Sequence, residues 1–191
     1  MLAPLRPAVF LDRDGTLIEE KKYLCEPERV KLLPGVGEGL SRLRDAGFEL
    51  VVVTNQSGIG RGKYTESQMH ACNDEMCRQL LPFGVTFGGI WFCPAAPGSD
   101  DPMAIDHPDR KPAPGMFFKA AEKLNLDLPR SWVIGDSPRD VVAGKNAGCG
   151  GRILVLTGHP LPDILQWRQF CPVVDDFSSA VRHLLASRSD I

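Results

Sequence analysis

The chain has 191 residues, a length that suits a single domain over 1–191 with room for little more than a small accessory segment. Hydrophobic residues make up 43% and charged residues 24%, which allows a packed core and excludes a disordered chain. Lysine and arginine total 22 against 24 aspartates and glutamates, a formal charge of -2 that gives no electrostatic ground for binding nucleic acid or a membrane.

The first apolar run, 8–11 (AVFL), reads as a buried strand. It ends in Asp12-Arg13-Asp14-Gly15-Thr16. Two carboxylates one residue apart both enter a site if the backbone turns there, and Gly15 permits the turn. Close carboxylates repel, so the pair implies a cation or a shared proton. Magnesium prefers oxygen ligands, commonly one or two carboxylates with phosphate oxygens and water. A solvated turn after a strand would use the same residues. A helix is expected over 35–46, with Gly47 as its stop signal.

The second strand, 50–53 (LVVV), runs into Thr54-Asn55-Gln56-Ser57-Gly58. A hydroxyl, two amides and a glycine-rich backbone at a strand tip offer neutral donors to phosphate oxygens. They equally suit a capped turn. A helix follows over 65–81, with Thr65 as a candidate cap, and a third strand over 89–92 (GIWF). The stretch 95–114 is rich in proline, aspartate and glycine and reads as a functional loop rather than a linker. It closes on Arg110-Lys111-Pro112, where a lysine can screen a carboxylate nucleophile from an incoming phosphate and an arginine can hold an oxygen pair.

A helix over 115–124 leads to the fourth strand, 132–134 (WVI), and then to Gly135-Asp136-Ser137-Pro138-Arg139-Asp140. Asp136 is a third carboxylate at a strand tip, although a helix N-cap is a competing use for any one of these aspartates. A helix over 139–147 stopped by Gly148, a strand over 153–156, and a tail over 172–191 with a short strand and closing helix complete the pattern. Strands alternating with helices give right-handed crossovers and an α/β three-layer sandwich around a parallel sheet. Ligands of such sheets gather at the carboxyl ends of the strands. Three tips here present acid, hydroxyl/amide and acid groups, with a basic loop between them.

In order and spacing, these four sets resemble the motifs of the haloacid dehalogenase (HAD) superfamily of phosphohydrolases, across roughly 9–156. The forms Asp12-Arg13-Asp14-Gly15-Thr16 and Thr54-Asn55-Gln56-Ser57-Gly58-Ile59-Gly60-Arg61-Gly62 resemble the branch that holds heptose-1,7-bisphosphate 7-phosphatases and histidinol-phosphate phosphatases. The run from Cys93-Pro94 to Arg110-Lys111-Pro112-Ala113-Pro114-Gly115-Met116 adds to the match.

The resemblance implies a Rossmann-like HAD core and a magnesium-dependent phosphomonoester hydrolase working through an aspartyl-phosphate. It implies Asp12 as nucleophile and Asp14 as general acid/base. Thr54 and Asn55 would hold the transferring phosphoryl group, Lys111 would stabilise it alongside Asp12, and Arg110 would contact substrate. Asp12, Asp136 and the backbone carbonyl of Asp14 would bind magnesium, with Asp140 as a supporting acid. The substrate is expected to be a small phosphorylated molecule, first a heptose 1,7-bisphosphate and in second place histidinol phosphate. A receiver-like phospho-acceptor module also has acids and a lysine at strand tips, but it has no need of a second carboxylate such as Asp14.

Many members of the branch carry a structural zinc in the long loop. The matching positions here are Cys93, Ala95, His107 and Asp109, a poor tetrahedral set, so no zinc is expected and Pro94, Pro97, Pro102 and Pro108 are read as stiffening the loop. Neither the span 15–54 nor 56–110 has room for an inserted lid, so no cap domain is expected. Specificity then falls to the loops 18–25, 57–64 and 95–109, where Lys21, Lys22, Arg61 and Lys63 are candidates for a second substrate phosphate. Ser57 replaces the first glycine of a phosphate loop and Tyr64 its Ser/Thr, and the glycines at 58, 60 and 62 miss the dinucleotide spacing. His70, His159 and His183 read as surface or capping residues, and Trp91, Trp132 and Trp167 as packing residues.

The six cysteines are even in number, but the chain is too long and too rich in apolar segments to need a disulfide framework. Residues 1–7 hold no long apolar stretch, and a reducing cytoplasm and a monomeric state are the expectations.

Overall fold

A computed structural model describes residues 4–187, so the end of the expected closing helix, 188–191, lies outside the described residues. Six strands, β1 (Ala8–Leu11), β2 (Glu49–Asn55), β3 (Gly89–Cys93), β4 (Trp132–Gly135), β5 (Gly151–Val155) and β6 (Val173–Val174), form one sheet in the order β3-β2-β1-β4-β5-β6. Every neighbouring pair is parallel. The strands read as continuous apolar runs because both sheet faces are covered. Along β1, Val9 and Leu11 enter one core while Ala8 and Phe10 enter the other, as the period of two requires.

Three helices cover the first face: α1 (Val36–Asp45), α3 (Glu66–Leu80) and α7 (Phe177–Ser187). Their buried residues recur at helical spacing, Val36, Leu40 and Leu43 in α1 and Met69, Cys72, Met76 and Leu80 in α3. On the second face lie α4 (Gly115–Leu124) and α5 (Pro138–Ala147), with Phe117 of α4 packed on Phe10 at 4.7 Å between ring centroids. Thr65 caps α3 in a capping box with Gln68, and Gly148 ends α5 in the left-handed conformation.

Two helices were not anticipated from the sequence. The turn α2 (Ser57–Gly60) contains two glycines, which disfavour helix unless tertiary contacts fix them. The helix α6 (Ile164–Phe170) is short and holds no fully buried residue, so it has little apolar periodicity to read. Elsewhere the differences are at boundaries: β2 continues through Thr54 and Asn55, β3 through Cys93, and β5 starts at Gly151.

Sheet order decides where a ligand can sit. From β1 the chain steps to β2 and β3 on one side, then returns to β4, β5 and β6 on the other. The carboxyl ends of β1 and β4 therefore flank the topological switch point, where diverging connections leave a crevice. No inserted lid covers this end, since 56–110 supplies only α2, α3 and β3 with their connections.

Candidate active site

Asp12 leaves the tip of β1, Thr54 and Asn55 end β2, and Asp136 follows β4, so the switch point collects the motif residues in one pocket together with Lys111. Gly15 sits at φ +77°, and a Cβ there would strike the Asp136 carboxylate, as would one at Gly158. Those two glycines let the backbone close round the acid.

One wall of the pocket is a charge cluster. Ligand-capable oxygens of Asp12, Asp136 and Asp140 all lie within 4.8 Å of one another. Lys111 is almost wholly buried and commits its three donors to Asp12 Oδ1 at 2.8 Å, Asp140 Oδ1 at 2.6 Å and the carbonyl oxygen of Val53 at 2.7 Å. Burial pulls its pKa down, but Asp12 and Asp140 outweigh burial, and the net shift is upward. Asp140 accepts from the Ser137 backbone N–H at 2.9 Å through its other oxygen, so both of its oxygens are engaged. Asp136 Oδ2 accepts from the His159 backbone N–H at 3.0 Å. No hydrogen bond reaches Asp12 Oδ2 or Asp136 Oδ1 among the described residues. With one ammonium facing three carboxylates, burial and the charges of Asp12 and Asp140 push the Asp136 pKa up to about 8.

A second wall holds Asp14 quite differently. The Arg13 guanidinium, 1% exposed, donates from Nε to Asp14 Oδ2 at 3.0 Å and from Nη2 to Asp14 Oδ1 at 3.1 Å. It also donates to Asn73 Oδ1 of α3 at 2.8 Å and to Gln56 Oε1 at 3.0 Å. The Gln56 amide in turn donates to Asp14 Oδ2 at 2.9 Å and to Thr54 Oγ1 at 2.8 Å. Burial lowers the Arg13 pKa and Asp14 raises it, with a net rise that keeps it cationic.

Asn55 braces the Lys111 side of the pocket. Its side-chain amide exchanges two hydrogen bonds with the Lys111 backbone, both at 3.0 Å, and so fixes the end of the long loop to the tip of β2. Arg110 is buried at the pocket edge and donates to the Ala95 carbonyl at 3.0 Å, and burial together with Arg139 lowers its pKa. The site thus presents a carboxylate screened by a lysine, a second carboxylate clamped by neutral and cationic donors, and a hydroxyl lining the same pocket. Such a set suits transfer of a phosphoryl group to a carboxylate with proton transfer close by.

Over 156 residues the chain is 41% identical to D-glycero-beta-D-manno-heptose-1,7-bisphosphate 7-phosphatase of Escherichia coli, a match spanning 81% of this chain and 82% of that one. The chain belongs to the haloacid dehalogenase-like phosphatases. The phosphatase of the same name from Vibrio cholerae is 38% identical over 181 residues, 94% of this chain and 96% of its own. The crystal structure of D,D-heptose 1,7-bisphosphate phosphatase from B. bronchiseptica, complexed with magnesium and phosphate, superposes with a TM-score of 0.78. It is 32% identical and covers 95% of this chain and 99% of that one. The sequence profile of HAD-hydrolase-like proteins matches residues 109–180.

In this phosphatase all the residues singled out from the motifs line one pocket, and Glu20, Tyr23, Tyr64, Arg139 and His159 join them. Glu20, Tyr23, Tyr64 and His159 went unread as site residues because they come from loops whose approach depends on tertiary folding, while Arg139 was read only as part of the 136–140 run and lies in the first turn of α5. His159, expected only at the surface or as a cap, has an exposed ring but lines the pocket and reaches Asp136 through its backbone. Glu20 lies beside it, its pKa raised by burial and by Asp14 and Asp12. Of the four candidates for a second phosphate, Lys21 and Lys22 line the pocket, while Arg61 and Lys63 are exposed outside its lining. Lys21 is already ion-paired with Glu19 and bonded to the Arg29 carbonyl.

The long loop offers no tetrahedral zinc set. Cys93 Sγ lies 3.6 Å from His107 Nδ1, but that nitrogen accepts the Asp109 backbone N–H at 3.1 Å, and the Asp109 carboxylate pairs with Lys119. Ala95 supplies no ligand atom. No helix among the described residues is long and apolar enough to cross a membrane, and all six cysteines are free thiols.

Proposed function

We propose that this phosphatase removes the 7-phosphate of D-glycero-beta-D-manno-heptose 1,7-bisphosphate, with Asp12 as nucleophile, Asp14 as general acid/base and magnesium as cofactor. The observation that carries the reading is the state of Asp12. It stands at the switch point with one oxygen fixed 2.8 Å from a buried ammonium and the other uncommitted.

In the first step Asp12 attacks phosphorus, while Lys111 and the donors at Thr54 and Asn55 neutralise and orient the equatorial oxygens. Asp14 gives its proton to the departing sugar oxygen, then as carboxylate takes a proton from the water that opens the aspartyl-phosphate. Acid/base help of this kind contributes about 10²–10⁴-fold. Asp140 holds Lys111 and the start of α5 in place, since both its oxygens are engaged.

The donor set fits magnesium. Asp12 and Asp136 each keep an oxygen without a partner, hard oxygen ligands are what the ion prefers, and the cluster holds more negative charge than Lys111 cancels. These two residues, with the Asp14 backbone carbonyl, would hold the ion, which when bound neutralises the charge gathered between the acids and the phosphate.

Specificity for a bisphosphate is supported by the cationic rim. Lys22, Arg110 and Arg139 line the pocket beyond the acids, and Glu20 offers an acceptor to sugar hydroxyls. Free thiols throughout agree with a reducing, cytoplasmic setting.

The test is steady-state phosphate release with magnesium on both anomers of heptose 1,7-bisphosphate, histidinol phosphate, fructose 1,6-bisphosphate and several monophosphates. The highest kcat/KM is expected on the beta heptose bisphosphate. A preference for histidinol phosphate would overturn the substrate, and turnover indifferent to magnesium would overturn the cofactor.

A further inference from the structure

We infer that Gln56 is the positioning residue that aims Asp14 for proton transfer and turns the Thr54 hydroxyl into a phosphate donor. The inference rests on Asp14 being the acid/base of the proposed reaction.

An amide side chain can accept at its oxygen and donate two N–H groups, and either end can face a given neighbour. Here the neighbours decide. Gln56 is 2% exposed, and its Oε1 receives Arg13 Nη2 at 3.0 Å and the Tyr64 hydroxyl at 2.6 Å. The guanidinium can only donate, so the oxygen must lie on that side. Asn73 is fixed by the same cation: its oxygen accepts from Arg13 Nη1, and its amide nitrogen turns to Met69 Sδ. The Gln56 nitrogen is consequently forced toward Asp14 Oδ2 at 2.9 Å and Thr54 Oγ1 at 2.8 Å. All four bonding positions of the amide are filled.

Two consequences meet at the reacting groups. With Arg13 on both of its oxygens and Gln56 on one, Asp14 has its carboxylate plane locked. Thr54 Oγ1, already accepting from Gln56, keeps its own O–H for another acceptor, and a transferring phosphoryl oxygen is the acceptor the pocket would supply. The neutral side chain of Gln56 therefore settles the orientation of both groups. Tyr64 holds it from behind: a Cβ at Gly58 would strike the Tyr64 ring, so the glycine at the base of α2 is what lets the tyrosine reach.

The experiment compares Gln56→Met, which keeps bulk and loses all four bonds, with Tyr64→Phe and Asp14→Asn. Each is assayed as kcat/KM on an alkyl phosphate, whose alkoxide needs a proton to leave, and on p-nitrophenyl phosphate, whose phenolate does not. Asp14→Asn should lose about 10²-fold or more on the alkyl ester and far less on the aryl ester. Gln56→Met should show the same leaving-group selectivity, at about 10-fold or more on the alkyl ester, and Tyr64→Phe the same selectivity in weaker form. Should Gln56→Met fail to fold, Tyr64→Phe alone decides. Equal losses on both esters in the folded Gln56 and Tyr64 variants, with Asp14→Asn still selective, would overturn the aiming of Asp14 and leave the proposed reaction standing, and no loss on the aryl ester would overturn the part played through Thr54. An unselective Asp14→Asn would overturn the reaction assignment and the inference with it.

Discussion

Asp12 and Asp14 are the same residue type two positions apart, yet they sit in two opposed surroundings. Around Asp12, three carboxylates share one ammonium, and burial together with the like charges of Asp12 and Asp140 pushes Asp136 up to about 8. Around Asp14, a guanidinium fork and an amide meet every demand, and both of its oxygens have partners. The first wall holds more carboxylates than its one ammonium pairs with, whereas in the second both oxygens of Asp14 have donors. On the proposed reading, this difference in environment is what separates a nucleophile from an acid/base, the general pattern when one site needs both.

The largest expected effect comes from removing the proposed nucleophile. Asp12→Asn should lower turnover by on the order of 10⁴-fold or more while leaving the far-UV circular dichroism unchanged. Substantial residual activity would erase the distinction between the two walls.

Next comes Lys111→Met, which leaves Asp12 and Asp140 crowded and unpaired. Removing one partner from a buried ion pair costs about 3–5 kcal/mol, so denaturant unfolding of the metal-free protein should show a loss of that size. Magnesium should recover part of it. A loss of the same size from Arg13→Met, unrelieved by magnesium, would sharpen the contrast, because the side-chain oxygens that cluster for an ion belong to Asp12, Asp136 and Asp140 and not to Asp14.

A third test uses pH. Asp136 has a folded pKa of about 8 against an ordinary 3.8, so the folded state holds its proton more tightly than the unfolded chain does. Between those values the unfolded state binds fewer protons, so metal-free stability should fall as pH rises from about 4 to about 8. Magnesium should flatten that fall by favouring the ionised cluster. Thermal melts across this range, with and without the ion, read the slope directly, and a metal-free slope of opposite sign would contradict the crowded-acid description.

The smallest effect is expected at the rim. Lys22→Ala should raise KM for a bisphosphate by less than about fivefold, as exposed charge contacts do, and leave a monophosphate nearly unchanged. Parallel kinetics on the two substrates would show whether the rim reads the second phosphate.

Much of this arrangement was legible in the sequence. The strand tips were marked by apolar runs that stop at Asp12, Thr54 and Asp136, and β1 begins and ends where its four apolar letters do. A parallel sheet followed from alternation, but its order did not, because crossovers leave no local trace. Lys111 was found through its basic dipeptide, whereas its commitment to Val53, Asp12 and Asp140 depends on a loop that returns across the sheet. The Asp14 bracket was the part least readable. Arg13 had only a family resemblance to mark it, and Gln56, Tyr64 and Asn73 are ordinary polar residues until α2 and α3 fold against β1. Charged motifs announce themselves at strand ends; the neutral residues that orient them come from packing.

The most direct test is chemical trapping of the phosphoenzyme. A single turnover on heptose 1,7-bisphosphate with magnesium is quenched in acid, reduced with borohydride and mapped by peptide mass spectrometry. Reduction should convert Asp12, and no other aspartate, to homoserine. Modification at a different residue, or complete turnover with no reducible intermediate, would contradict the assignment of Asp12 as nucleophile.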